Sequence, residues 1–167
     1  EGPRTLGFGA ELAARIQERD GHIMTSAQVT GMRRYNDHIV VNSLAGDFTV
    51  NYVVNCAGLH SDRVTALSGQ QPEVKIVPFR GEYYTIAPQR RTLVKNLIYP
   101  VPDPAFPFLG VHFTRTIDGL VEAGPNAVLA FAREGYKKSD FDARDLRETL
   151  TFSGFRKMAR TYWRTGL

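Results

Sequence analysis

The residues best placed to do chemistry sit in one short stretch. In "FPFLGVHFTRTIDGLVEAGPN" (106–126) an imidazole and a guanidinium stand among glycines and hydrophobic side chains. Read with period two, Phe108, Gly110, His112 and Thr114 share one face, and Leu109, Val111 and Phe113 share the other. The Leu/Val/Phe face suits a core. The Gly/His/Thr face is small and polar, which suits contact with a bound molecule. The plainer reading of His112 is a hydrogen-bonded structural histidine. Arg80, in "PFRGEYY", reads in the same way as a surface or salt-bridged arginine.

A second stretch, "VVNCAGLHSDRV" (53–64), runs from an apolar strand through Ala57-Gly58 to a helix start that Ser61-Asp62 can cap. Glycine there lets a ligand approach the backbone, and a helix N-terminus favours anionic groups. An ordinary strand-to-helix turn has the same pattern. Gly7 and Gly9 do not make a G-x-G-x-x-G site, because the third glycine is missing and no strand precedes them. His22, His38, His60 and His112 lack tight ligand spacing, so no metal is expected. The single Cys56 excludes an internal disulfide and a Cys-based zinc site, and its apolar neighbours predict a buried, inert thiol.

The elements that must position these residues follow from the pattern. "FGAELAARIQER" (8–19) predicts a helix, ended by Asp20-Gly21 with Gly21 as its cap. Short strands are predicted at His22-Ile23-Met24 and from Gln28 to Met32. Longer ones are predicted from His38 to Leu44 and from Phe48 to Asn55, with a turn at Ala45-Gly46-Asp47. Residues 73–88 predict a long strand interrupted at Pro78 and Gly81. The proline-rich segment 96–107 fits a sheet edge or a fixed loop. Asp118-Gly119 supplies the turn of the opening hairpin, and one long helix is predicted over about 142–163.

The 167 residues are enough for a real core, and the composition is ordinary for a globular protein. No apolar run approaches the ~18 residues of a membrane span. The net charge of +4 is modest. The basic, aromatic patch "FRKMARTYWR" (155–164) reads as the solvated face of an amphipathic helix, so no nucleic-acid partner is expected. The composition shifts near Gly69–Pro72, which divides the chain into 1–70 and 71–167.

Taken together, "VVNCAGLHSDRV", "IVPFRGEYY", the run from Leu97 to Tyr136 and "SDF" (139–141) resemble the L-2-hydroxyglutarate dehydrogenase/oxidase family. That family is a branch of the D-amino-acid-oxidase-like flavoproteins. The resemblance covers nearly the whole chain, and the 97–136 run is its most specific part. It is a resemblance to the middle of such an enzyme, without the family's Gly-rich N-terminal strand–loop–helix.

It implies an α+β fold: part of an FAD-binding α/β domain at 1–70, then a mixed, largely antiparallel substrate domain at 71–167. The cofactor implied is FAD, held weakly or not at all by this segment alone. Val29 matches the position whose backbone meets the adenine, and Ala57-Gly58 the turn that passes the cofactor. The implied reaction is oxidation of L-2-hydroxyglutarate to 2-oxoglutarate by hydride transfer to flavin, with His112 as base or hydroxyl ligand. The small residues beside His112 would leave room for substrate.

Arg80 and Arg115 are candidates for the dicarboxylate, Arg80 ahead because Arg115 alternates away from His112. Tyr83 and Tyr99 are candidates for hydroxyl contacts. Oxygen or a quinone would accept the electrons. The expected location is cytoplasmic, or peripheral to the inner membrane. The alternatives are a related flavoenzyme acting on an amino acid or glycerol phosphate, and a folded fragment without catalysis. Missing strands would leave open sheet edges, so the fragment is expected to self-associate.

Overall fold

A computed structural model describes residues 3–104 and 108–164, with side chains from residue 7. The chain is of mixed α+β class, with two separate three-stranded antiparallel sheets. It divides into two units, Glu1–Cys56 with Arg63–Pro72, and Ala57–Asp62 with Glu73–Leu167.

The first unit opens with α1 (Pro3–Gln17), which carries the helix formers Ala, Leu and Arg. It ends in a Schellman motif: the Gly21 amide donates to the Ile16 carbonyl at 2.9 Å and the Asp20 amide to the Gln17 carbonyl at 3.1 Å. The left-handed residue is Asp20, at φ 60°, one place before the expected Gly21. Gly21 is needed for a different reason, since a Cβ there would lie 2.8 Å from the Ile16 carbonyl oxygen. His22-Ile23-Met24 form no strand.

β1 (Val29–Arg34), β2 (Ile39–Ser43) and β3 (Gly46–Val50) follow as an antiparallel meander. The strand expected to reach Asn55 stops at Val50. Residues 52–56 pair with no described strand, so their apolar side chains meet water: Val54 is 83% exposed. Cys56 is exposed too, which corrects the expectation of a buried thiol.

Gly58–His60, in the second unit, form a single 3-10 turn, and α2 (Ser61–Leu67), which belongs to the first unit from Arg63 on, starts directly after it. β4 (Phe79–Thr85) begins just past Pro78 and runs through Gly81 without a break. β5 (His112–Arg115) and β6 (Val121–Leu129) complete the sheet in the order β4-β6-β5. The β5–β6 hairpin closes as expected around Asp118-Gly119: the Gly119 amide donates to the Thr116 carbonyl at 3.0 Å, with Gly119 at φ 79°. The proline-rich segment lies at the sheet edge, where Ile98 bridges Phe113; its residues 105–107, and the first two residues of the 106–126 stretch, lie outside the described residues.

The expected final helix is two helices, α3 (Ala143–Thr151) and α4 (Ser153–Tyr162), separated by extended Phe152 at ψ 125°. Gly154 follows the break, and a side chain there would strike the Phe152 ring. The interior of this unit is mixed. Val121, Ala130 and Val94 are buried, and so are His112, Arg133, Asp145 and Thr149. Buried polar groups are kept only when hydrogen-bonded, so these four mark where the unit is organised by specific contacts.

Candidate active site

His112 opens β5, opposite Gly124 of β6, and is 8% exposed. Its Nδ1 lies 3.2 Å from the Gly110 carbonyl oxygen. A carbonyl only accepts, so this contact assigns the proton of the neutral ring to Nδ1 and leaves the Nε2 lone pair available. The Ile98–Phe113 bridge brings Tyr99 alongside, and its ring stacks on the imidazole with centroids 4.4 Å apart. Tyr83 of β4 meets it edge-on at 6.3 Å. Three of the expected site residues are thus gathered.

The glycines here do not leave empty room, contrary to expectation. A Cβ on Gly110 would sit 2.8 Å from Pro100 Cγ, and one on Gly124 2.5 Å from Tyr83 Cδ1. They admit Pro100 and Tyr83 to close contact. Leu109 and Val111, expected on a core face, are 66% and 58% exposed, because regular strand begins only at His112.

Arg80 and Arg115 are placed elsewhere. Tyr84, Ala123 and Phe113 pair across the sheet and share a face. The pairing shifts register between Glu82 and Tyr84, but the extra residue lies on β6, so alternation along β4 puts Arg80 and Glu82 on that same face and Tyr83 on the other. Arg115 alternates with His112 as well. Neither arginine therefore shares the His112 side. Arg80 also has four of its five N–H donors engaged. Nη2 donates to Glu82 Oε1 at 2.8 Å, Nε to the same oxygen at 3.3 Å, and Nη1 to the carbonyls of Lys137 and Gly135 at 3.1 and 3.4 Å. The Arg80 guanidinium holds the Glu82 carboxyl below its ordinary range. Arg115 Nη1 donates to the Val94 and Arg91 carbonyls at 3.2 and 3.4 Å.

The Ala57-Gly58 turn is the other candidate. Gly58 adopts φ 53°, a left-handed conformation that favours glycine, and no atom lies within 4 Å of where its Cβ would be. Beyond the turn, Arg133 reaches Asp62 with both terminal nitrogens, Nη2 to Oδ2 at 2.7 Å, and Nη1 also donates to the Leu59 carbonyl at 2.7 Å. Val29, in the first unit, opens β1 opposite Ser43, at an irregularity in register before Gly31.

The family model for FAD-dependent oxidoreductases of the DAO family matches residues 6–163. The chain belongs to this family. DAO-family relatives named L-2-hydroxyglutarate dehydrogenase align along most of it. The protein of Indibacter alkaliphilus is 52% identical over 93% of this chain and 39% of its own length. That of Escherichia coli K12 is 45% identical over 95% and 38%, and the human mitochondrial protein 44% identical over 88% and 34%. The chain thus spans less than two-fifths of the length of these relatives.

A DAO-family oxidoreductase pairs a small-molecule substrate with an electron acceptor. Gly58 has the open backbone that close approach of a flavin cofactor would need. Among the described residues no helix is long and apolar enough to cross a membrane. Sequence reading passed over Arg133. The only local signal is a charge closing the apolar run Ala127–Ala132, and its partners lie 71 and 12 residues away.

Proposed function

We propose that this chain supplies part of the active site of an FAD-dependent enzyme that oxidises L-2-hydroxyglutarate to 2-oxoglutarate. The observation that carries the reading is the contact of His112 Nδ1 with the Gly110 carbonyl, which in a neutral ring leaves Nε2 as the acceptor. In this reading Nε2 takes the proton of the substrate's C2 hydroxyl. Tyr99 holds the imidazole plane by stacking, and Tyr83 bounds it from the side. Bound FAD supplies the acceptor for the C2 hydrogen and its electron pair. Ala57 and Gly58 in the second unit offer backbone against which the cofactor rests.

The dicarboxylate needs cationic partners. Arg80, with four of its five N–H donors committed, keeps β4 joined to the segment at Gly135–Lys137, and Arg115 retains open donors on the face away from His112. The acceptor is oxygen or a quinone, and the protein is cytoplasmic or peripheral to the inner membrane.

The test is turnover by the complete gene product loaded with FAD. L-2-hydroxyglutarate should yield 2-oxoglutarate, measured by mass spectrometry, with the D-enantiomer inert. Turnover of an amino acid or glycerol phosphate instead would overturn the substrate assignment. Oxygen uptake against quinone reduction identifies the acceptor.

A further inference from the structure

We propose that Arg133 is a positioning residue for the flavin-facing turn at Ala57–His60; this rests on the reading that Ala57 and Gly58 lie against FAD. The turn is short and makes few bonds of its own. A three-residue 3-10 turn has only two closing bonds, here from the His60 amide to the Ala57 carbonyl at 3.0 Å and from the Ser61 amide to the Gly58 carbonyl. Residues 133–134 add side-chain contacts to it. The Arg133 side chain, 4% exposed, donates to the Leu59 carbonyl at 2.7 Å and to both carboxylate oxygens of Asp62. Glu134 Oε1 pairs with His60 Nε2 at 2.8 Å. Residues 59, 60 and 62 are all gripped by two consecutive residues.

The far side of the grip is anchored in turn. The Arg133 amide donates to Asp145 Oδ2 at 2.8 Å, which ties it to α3, and Asp62 Oδ2 accepts the Ile76 amide at 3.1 Å. Glu148 of α3 also faces the guanidinium, at 3.5 Å. A buried ion pair is a poor way to add stability, since packed hydrophobic residues serve as well. Its better use is to select one conformation, and here the selected element is the turn that carries Gly58. A planar fork is required, because one group must satisfy a carbonyl and a carboxylate together. Lysine would keep the charge and lose the fork.

The experiment uses the complete gene product. FAD affinity is measured by flavin fluorescence, the bound flavin by its visible spectrum, and the apoprotein by thermal midpoint. Arg133→Lys should weaken FAD binding by the folded fraction about 10- to 100-fold and alter the bound-flavin spectrum. Glu134→Ala, at a more exposed pair, should weaken it about two- to five-fold with the apoprotein midpoint unchanged. A lowered midpoint in Arg133→Lys with wild-type affinity and spectrum would overturn the proposal. Should Arg133→Lys not fold, Glu134→Ala decides, and unchanged affinity there overturns it. A wild-type protein that binds no FAD refutes the underlying reading of the turn; one that binds FAD indifferently to both substitutions refutes only the role of Arg133.

Discussion

At the scale of the residue, His112 has two possible duties, and one substitution separates them. If it takes the hydroxyl proton, His112→Ala should lower kcat/KM about 10²- to 10⁴-fold with flavin content unchanged. If its bond to Gly110 is purely structural, turnover per folded molecule survives and stability falls by about 1–3 kcal/mol. Measuring kcat/KM and thermal midpoint on one preparation decides. Glu82 makes a separate prediction in pH. Its hydrogen bond from Arg80 lowers the folded-state value from 4.5. The stability this brings is present above the ordinary value and lost as pH falls through the lowered one. Glu82→Gln should therefore have a lower thermal midpoint than wild type at neutral pH. The gap should narrow below about pH 4.5, and a gap independent of pH would dismiss the ion pair.

At the scale of the element, β6 and α3 set the site by close approach and capping. Gly124 lies under the Tyr83 ring, with Glu82's carbonyl oxygen 2.9 Å from the missing Cβ. Gly124→Ala must displace one of them, at a cost of about 1–3 kcal/mol. Tyr83 fluorescence or ring chemical shifts should move with it, and an unmoved Tyr83 would mean that β6 yields instead. α3 begins at Asp142, whose carboxylate accepts the Asp145 amide at 2.8 Å. Asp142→Ala should cost about 1 kcal/mol in a denaturation experiment. It should also loosen Asp145, which the Arg133 amide uses.

At the scale of the whole molecule, many large apolar side chains among the described residues remain in water. Phe8, Leu12 and Ile16 form a stripe along α1 and are 68%, 46% and 46% exposed. Tyr52, Val101 and Ile117 are 88%, 91% and 83% exposed. Surface of this kind associates. The 167-residue chain produced alone should therefore elute above its monomer mass of 18.7 kDa in size-exclusion chromatography with light scattering, and should bind ANS. A monodisperse monomer without ANS fluorescence would contradict this.

Local pattern determined the type and approximate place of most elements. Alternation and turn chemistry are short-range, so β2, the Asp118-Gly119 hairpin and the helix after Gly58 were all legible. So was the family, because its motifs are contiguous. What local pattern could not decide was which polar groups meet. Whether the 142–163 helix breaks depended on extended Phe152, and whether Cys56 is buried depended on a pairing strand that the described residues lack. The side of the sheet on which Arg80 lies became clear only when β4 was set in register against β6. The Arg133–Asp62 pair joins residues 71 apart, and their hydrogen bonds exist only once the fold has removed both from water. In such a burial an unpaired charge is too costly to keep, so the tertiary structure selects the partner.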